Sequence, residues 1–144
     1  MISGPLAKYL QSKKAIRNLV GERGVFRGRV PQSFTGRLAI VLSLGNDDPY
    51  NDLPGEAALR NQTIQVDCVA LNQTDSYSAE QLAKAVRDAI SGFRGTWDKT
   101  YVHSCARVNE VEFPVPPQDG SDNYGYQFSS DYSIVYEDVE PSLS

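Results

Sequence analysis

The sequence is poor in the residues that most enzyme chemistry needs. His103 is the single histidine among 144 residues, which removes every metal signature built on two imidazoles and leaves any Ser/His/Asp or Cys/His arrangement dependent on one ring. Cys68 and Cys105 are the only cysteines, too few for a disulfide framework. With no export signal, they read as buried thiols in a reducing cytosol. Long apolar runs are missing too: the longest is Leu38-Ala39-Ile40-Val41-Leu42, and the first five residues lack a basic stretch ahead of an apolar one. Neither a spanning helix nor a signal peptide is expected. No G-x-S-x-G occurs, and Gly21-Glu22-Arg23-Gly24 has too few glycines, after a helix rather than a strand, for a phosphate loop.

What is present suits one globular α+β domain over residues 1–144. Hydrophobic residues make up 40% and charged residues 22%, enough apolar material for a core and too little charge for a disordered chain. The formal charge of −4 conceals an asymmetry. Through Arg37 there are eight basic residues and only Glu22 as acid, net +7, whereas the remainder carries six basic and seventeen acidic residues, net −11. A bipolar chain of this kind can pair its basic end with the acidic body of another copy or offer it to nucleic acid; the charges can equally pair within one subunit.

Apolar residues Leu6, Leu10, Ile16, Leu19 and Val20 recur at helical spacing behind Pro5 and predict one cationic helix up to Gly21. Val25 to Val30 reads as a short strand ended by Pro31, and Leu38 to Leu44 as a central strand. Gly45 to Leu59 is rich in Asp, Asn, Pro and Gly without an apolar face, which predicts a long, mobile contact loop near residues 45–60. Ile64, Val66, Cys68 and Ala70 alternate with mostly polar neighbours as a half-buried strand. Ser78 and Gln81 form a capping box ahead of Leu82, Val86, Ile90 and Phe93, the second helix. Tyr101 to Phe113 and Tyr126 to Tyr136 read as strands around a Pro-rich loop near 114–123, before an acidic, frayed tail. The expectation is a mainly antiparallel or mixed sheet of four to five strands with two helices packed on one face.

No constellation demands catalysis. Asp47, Asp48, Asp52 and Glu56 could offer oxygens to a hard cation but do not follow the alternating calcium-loop pattern. Glu110 and Glu112 share a strand face, as paired carboxylates of a metal-dependent nuclease would, yet no lysine follows at a completing distance. His103 and Ser104 are strand neighbours and face opposite ways. The aromatics Tyr124, Tyr126, Phe128, Tyr132 and Tyr136 could stack bases, although a core or interface role suits an acidic segment better.

Read together, the amphipathic first helix, Val25-Phe26, Val30-Pro31-Gln32, Gln65-Val66-Asp67-Cys68-Val69-Ala70, the helix Leu82–Ile90 and the closing Asp131-Tyr132-Ser133-Ile134-Val135-Tyr136 resemble the tail-completion or tail-terminator proteins of long-tailed bacteriophages. The chain departs at Gly36-Arg37, where a proline opening the next strand would be expected. The resemblance implies a virion protein assembled in the host cytoplasm that forms a ring, commonly six-fold, capping the head-proximal end of the tail tube. Its partners would be the tail tube protein and the head-tail connector protein, with genomic DNA passing through the channel and no membrane. It implies no catalysis and no cofactor. A head-completion or connector protein is the nearest alternative, and a metal-dependent nucleic-acid-processing enzyme a more distant one. On this reading Lys8, Lys13, Lys14, Arg17, Asp47, Asp48 and Asp52 are candidate subunit or partner contacts. Glu110, Glu112, Asp119 and Asp122 are candidate acids facing the lumen, since a basic wall would hold phosphate.

Overall fold

A computed structural model describes residues 2–28, 38–49, 59–70, 77–115 and 125–138. Three helices, α1 (Ser3–Ser12), α2 (Lys14–Val20) and α3 (Tyr77–Ile90), accompany six strands: β1 (Val25–Arg27), β2 (Leu38–Pro49), β3 (Arg60–Ala70), β4 (Gly95–Trp97), β5 (Thr100–Val115) and β6 (Gly125–Asp138). The strands form one sheet in the order β1-β2-β3-β6-β5-β4. β1 runs parallel to β2, and every other pairing is antiparallel.

The α+β class agrees with expectation, while the element count does not: six strands replace four to five, and three helices replace two. The first helix breaks because Lys13 adopts an extended backbone, φ −79° and ψ 123°; its N–H donates to the Leu10 carbonyl at 3.1 Å and its carbonyl accepts from Arg17 at 2.9 Å, so one residue closes α1 and opens α2. No proline or glycine marks that break. β4 is three residues long, too short for any periodicity to reveal. The expected loop from Gly45 also shortens, because Gly45–Pro49 continue β2, with Asp47, Asp48 and Pro49 opposite Gln62, Asn61 and Arg60 beyond a register shift. Pairing in a long ladder overrides the weak strand propensity of Asn and Asp. The expected Pro-rich loop shortens likewise, because Pro114 and Val115 continue β5 opposite Tyr126 and Gly125; residues 50–58 and 116–123 of the two loops and the tail after Asp138 lie outside the described residues.

The helices cover one face of the sheet. Leu6, Leu10, Ile16 and Val20 from α1 and α2, and Leu82, Val86 and Ile90 from α3, share a single buried cluster with Ile40, Ile64, Val66, Tyr132 and Ile134. All five residues Leu38–Leu42 are buried, so β2 is enclosed on both faces there, matching its continuous apolar run. The expected capping box does not form: α3 already includes Ser78, and Gln81 Nε2 donates instead to the Tyr77 hydroxyl at 2.6 Å. At the other end Gly92, with φ 77°, turns the chain so that its N–H donates to the Cys105 carbonyl at 2.7 Å.

Trp97, expected in the core or at its rim, is 1% exposed. Its ring stacks on Tyr9 (5.2 Å, 28°) and on Phe93 (5.0 Å, 26°), joining α1 to β4 and to the exit of α3. The Tyr9 hydroxyl donates to the Ala89 carbonyl at 3.1 Å and holds α1 against α3.

Candidate assembly surfaces

The break at Lys13 makes the first surface. A groove of about 610 Å³ runs between the α1–α2 junction and α3, with Tyr9, Lys13, Lys14 and Ile16 on one wall and Gln81, Lys84, Ala85 and Asp88 on the other. Its floor is partly apolar and its rim cationic. Lys13 Nζ sits 4.8 Å from the Tyr9 ring centroid, a cation held over a π face at solvent-exposed depth. Lys84 pairs with Asp88 at 3.1 Å, so Lys13 and Lys14 supply the groove's net positive charge. Of the other basic candidates, Lys8 pairs with Asp98 at 3.4 Å away from the groove, and Arg17 is exposed on α2. These exposed pairs are worth little stability and leave the charges available to a partner.

The acidic candidates are scattered. Asp47 and Asp48 lie in the far end of β2. Asp52, Asp119 and Asp122 fall outside the described residues. Glu110 and Glu112 stand opposite Ser130 and Phe128 on the helix-bearing face, two residues apart in register. Arg107 Nη1 donates to Glu110 Oε2 at 2.7 Å across a register shift in β5, and Ser130 Oγ donates to the same oxygen at 3.3 Å. Glu110 is thus bound to an arginine rather than paired with a second carboxylate. Among the described residues no group of three or more His, Cys, Asp or Glu side chains could hold a metal ion.

The helix-free face carries a polar network that the sequence pattern did not single out. Ser129 Oγ donates to Asp67 Oδ1 at 2.7 Å, Gln65 Nε2 to the same carboxylate at 2.9 Å, and Gln127 Nε2 to Ser129 Oγ at 3.0 Å. Ser133 Oγ donates to Asn61 Oδ1 at 2.8 Å. The alternation of polar with apolar residues in β3 and β6 was the available signal, but cross-strand partners depend on register. His103 lies 2.9 Å from Glu137 Oε1 and edge-on to Tyr101 at 4.7 Å, so its hydrogen-bonded neighbour is a carboxylate and not Ser104.

Both thiols are buried and protonated. Burial pushes Cys105 up to about 12, and burial, reinforced by Asp67 and Glu110, raises Cys68 further. Burial likewise raises the Tyr132 hydroxyl between them. None of the three is poised as a nucleophile. Among the described residues, no helix is long and apolar enough to cross a membrane.

The described residues thus combine a mixed sheet with helices on one face and a cationic groove beside α3. Residues 4–119 match the family described as tail completion protein gp17. The chain belongs to that family. It is therefore a structural protein of a phage tail and a component of the virion. The fold has solved counterparts. A chain in the virion of a native gene transfer agent particle superposes with a TM-score of 0.70 at 15% identity, over 94% of each chain. A second solved chain gives 0.51 at 14% identity, again over 94% of each. No curated protein sequence matches significantly.

Proposed function

We propose that this tail completion protein forms a ring, six-fold in the common form, that caps the head-proximal end of the tail tube, ends tube polymerisation and joins the tail to the head connector. The observation that carries this reading is the family match over residues 4–119. The geometry is consistent with it. Head-to-tail rings need two different, complementary surfaces on one subunit. Here the cationic groove beside Lys13 and Lys14 and the net −11 of the chain after Arg37 supply opposite charge. The tail tube protein and the head-tail connector protein would bind the two rims, and genomic DNA would pass through the lumen. The chain acts without catalysis.

Electron microscopy of tails assembled with and without this chain tests the reading. Tubes of uniform length ending in a ring that contains the chain are expected, with overlong tubes in its absence. A chain found only on the connector, with tube length unaffected, would instead make it a head-completion protein.

A further inference from the structure

Among the described residues, two stretches of the sheet edge carry no ladder. β1 pairs with β2 only from Ile40 to Leu42, and Gly28 adds one bond to the Leu42 carbonyl. β2 nevertheless continues to Pro49, so among the described residues its outer edge from Ser43 onward has no ladder. On the opposite side β4 pairs with β5 only from Thr100 to Val102, Gly92 takes the Cys105 carbonyl, and β5 runs on to Val115. Its outer edge from Ala106 is open in the same sense. A long open edge bearing apolar side chains is a template for another strand, which proteins normally blunt. These edges carry most of the exposed large apolar side chains among the described residues: Leu44 at 42% on β2, and Val108 at 61% and Val111 at 47% on β5.

We propose that neighbouring copies of this chain join edge to edge, the open edge of β5 (Ala106–Val115) in one copy pairing antiparallel with the open edge of β2 (Ser43–Pro49) in the next. The inference rests on the ring reading above and names the contact that closes the ring. β2 and β5 run in opposite directions within the sheet, so a copy rotated about a ring axis brings them together antiparallel. Their offset also fits closure. Leu44 is level with Tyr132 and Pro49 with Tyr136, whereas Ala106 is level with Ser133 and Val115 with Gly125. The centres of the two stretches, level with 131–136 and 125–133 of β6, therefore differ by about 4.5 residues, roughly 15 Å along the strands, against about 19 Å across four strands. That ratio is a strand tilt of about 40°, within the range at which sheets close into barrels.

The short strands β1 and β4 occupy the remaining parts of the two edges and leave this stagger free. Closure with the helices outside turns the helix-free face to the channel. The described acids on that face are Asp67, Asp131 and Glu137, and Glu110 and Glu112 face outward. A second copy is favoured over a strand of another protein because both halves of the joint, matched in direction and offset, lie on one chain.

The test uses the full-length chain assembled with tail tube subunits. Leu44→Cys and Glu112→Cys share the helix-bearing face at the proposed joint, and Leu44→Cys with Glu110→Cys covers a two-residue slip. Mild oxidation of one or other double variant should give a ladder of covalent multimers, while each single variant stays monomeric on a denaturing gel. Hydrogen exchange should slow by at least about tenfold on assembly in both open stretches. Covalent dimers from a single variant would overturn the head-to-tail pairing, and cross-links to the tube subunit would replace the second copy by another protein. A ring seen by microscopy with neither cross-link nor added protection would sink this joint and leave the ring reading standing. Absence of any ring would sink both.

Discussion

The Gly92 amide donates to the Cys105 carbonyl at 2.7 Å, and beyond that bond the outer edge of β5 has no partner among the described residues. One hydrogen bond thus marks the border between two uses of a single strand. Up to Cys105, β5 is capped by β4 and the exit of α3. From Ala106 its outer edge has no ladder among the described residues, and it is one half of the proposed joint. The left-handed turn at Gly92, φ 77°, is what lets the chain deliver that bond directly from the end of α3.

Tyr9 ties α1 to the rest of the subunit through a hydroxyl on Ala89 and rings on Phe93 and Trp97. Tyr9→Phe should cost about 1 kcal/mol, the worth of the hydrogen bond. Tyr9→Ala should cost about 2–4 kcal/mol because the stack opens beside buried Trp97. Urea titration followed by the fluorescence of Trp97 reads both values. Equal losses for the two variants would contradict the stacking role.

Gly24 lies where the chain passes the end of α2: a Cβ there would stand 2.2 Å from the Val20 carbonyl oxygen and 2.4 Å from its Cβ. Backbone and a branched side chain cannot yield cheaply. Gly24→Ala should therefore destabilise by about 2 kcal/mol or more. Gly28, with φ 95° and open space around it, should cost only about 1 kcal/mol on the same change, from its left-handed backbone. Thermal unfolding of the two variants gives the comparison, and the reverse ranking would refute it.

The buried thiols predict an alkaline weakness. Cys105 is pushed up to about 12 in the native state, so above about pH 9 the unfolded chain releases a proton that the folded chain keeps. Stability is complete below that pH and falls as pH rises toward 12, by about 1.4 kcal/mol per unit for each such thiol. Unfolding free energies from pH 8 to 10.5 should show this slope, reduced in Cys105→Ala. At neutral pH neither Cys68 nor Cys105 should react with a thiol reagent until the protein unfolds. Rapid labelling of the native protein would count against their burial.

The groove beside Lys13 and Lys14 predicts a charge effect confined to assembly. Lys13→Glu with Lys14→Glu should change the stability of the isolated subunit by no more than about 0.5 kcal/mol, both being exposed. The same variant should weaken ring or partner assembly while leaving any DNA affinity nearly unchanged. Light scattering and a DNA-binding assay, run side by side, separate these effects. Normal assembly with lost DNA binding would make the groove a nucleic-acid surface.

Much of this protein was legible in one dimension because the signals are local. The apolar spacing of Leu82, Val86 and Ile90 specified α3, and the alternation of Ile64, Val66, Cys68 and Ala70 specified the buried face of β3. Other features depend on partners distant in sequence, which no local pattern contains. Lys13 breaks a helix without a breaker residue, Gly45–Pro49 become strand because β3 lies alongside, and three residues form β4 because β5 receives them. Register decides the rest. Whether Glu110 meets an arginine or another carboxylate follows from a shift at Arg107, and where the two sheet edges lack a ladder among the described residues follows from the lengths of β1 and β4. Local apolar patterning determined which segments become helix or strand, and long-range hydrogen bonding decided their register and which sheet edges, among the described residues, carry no ladder.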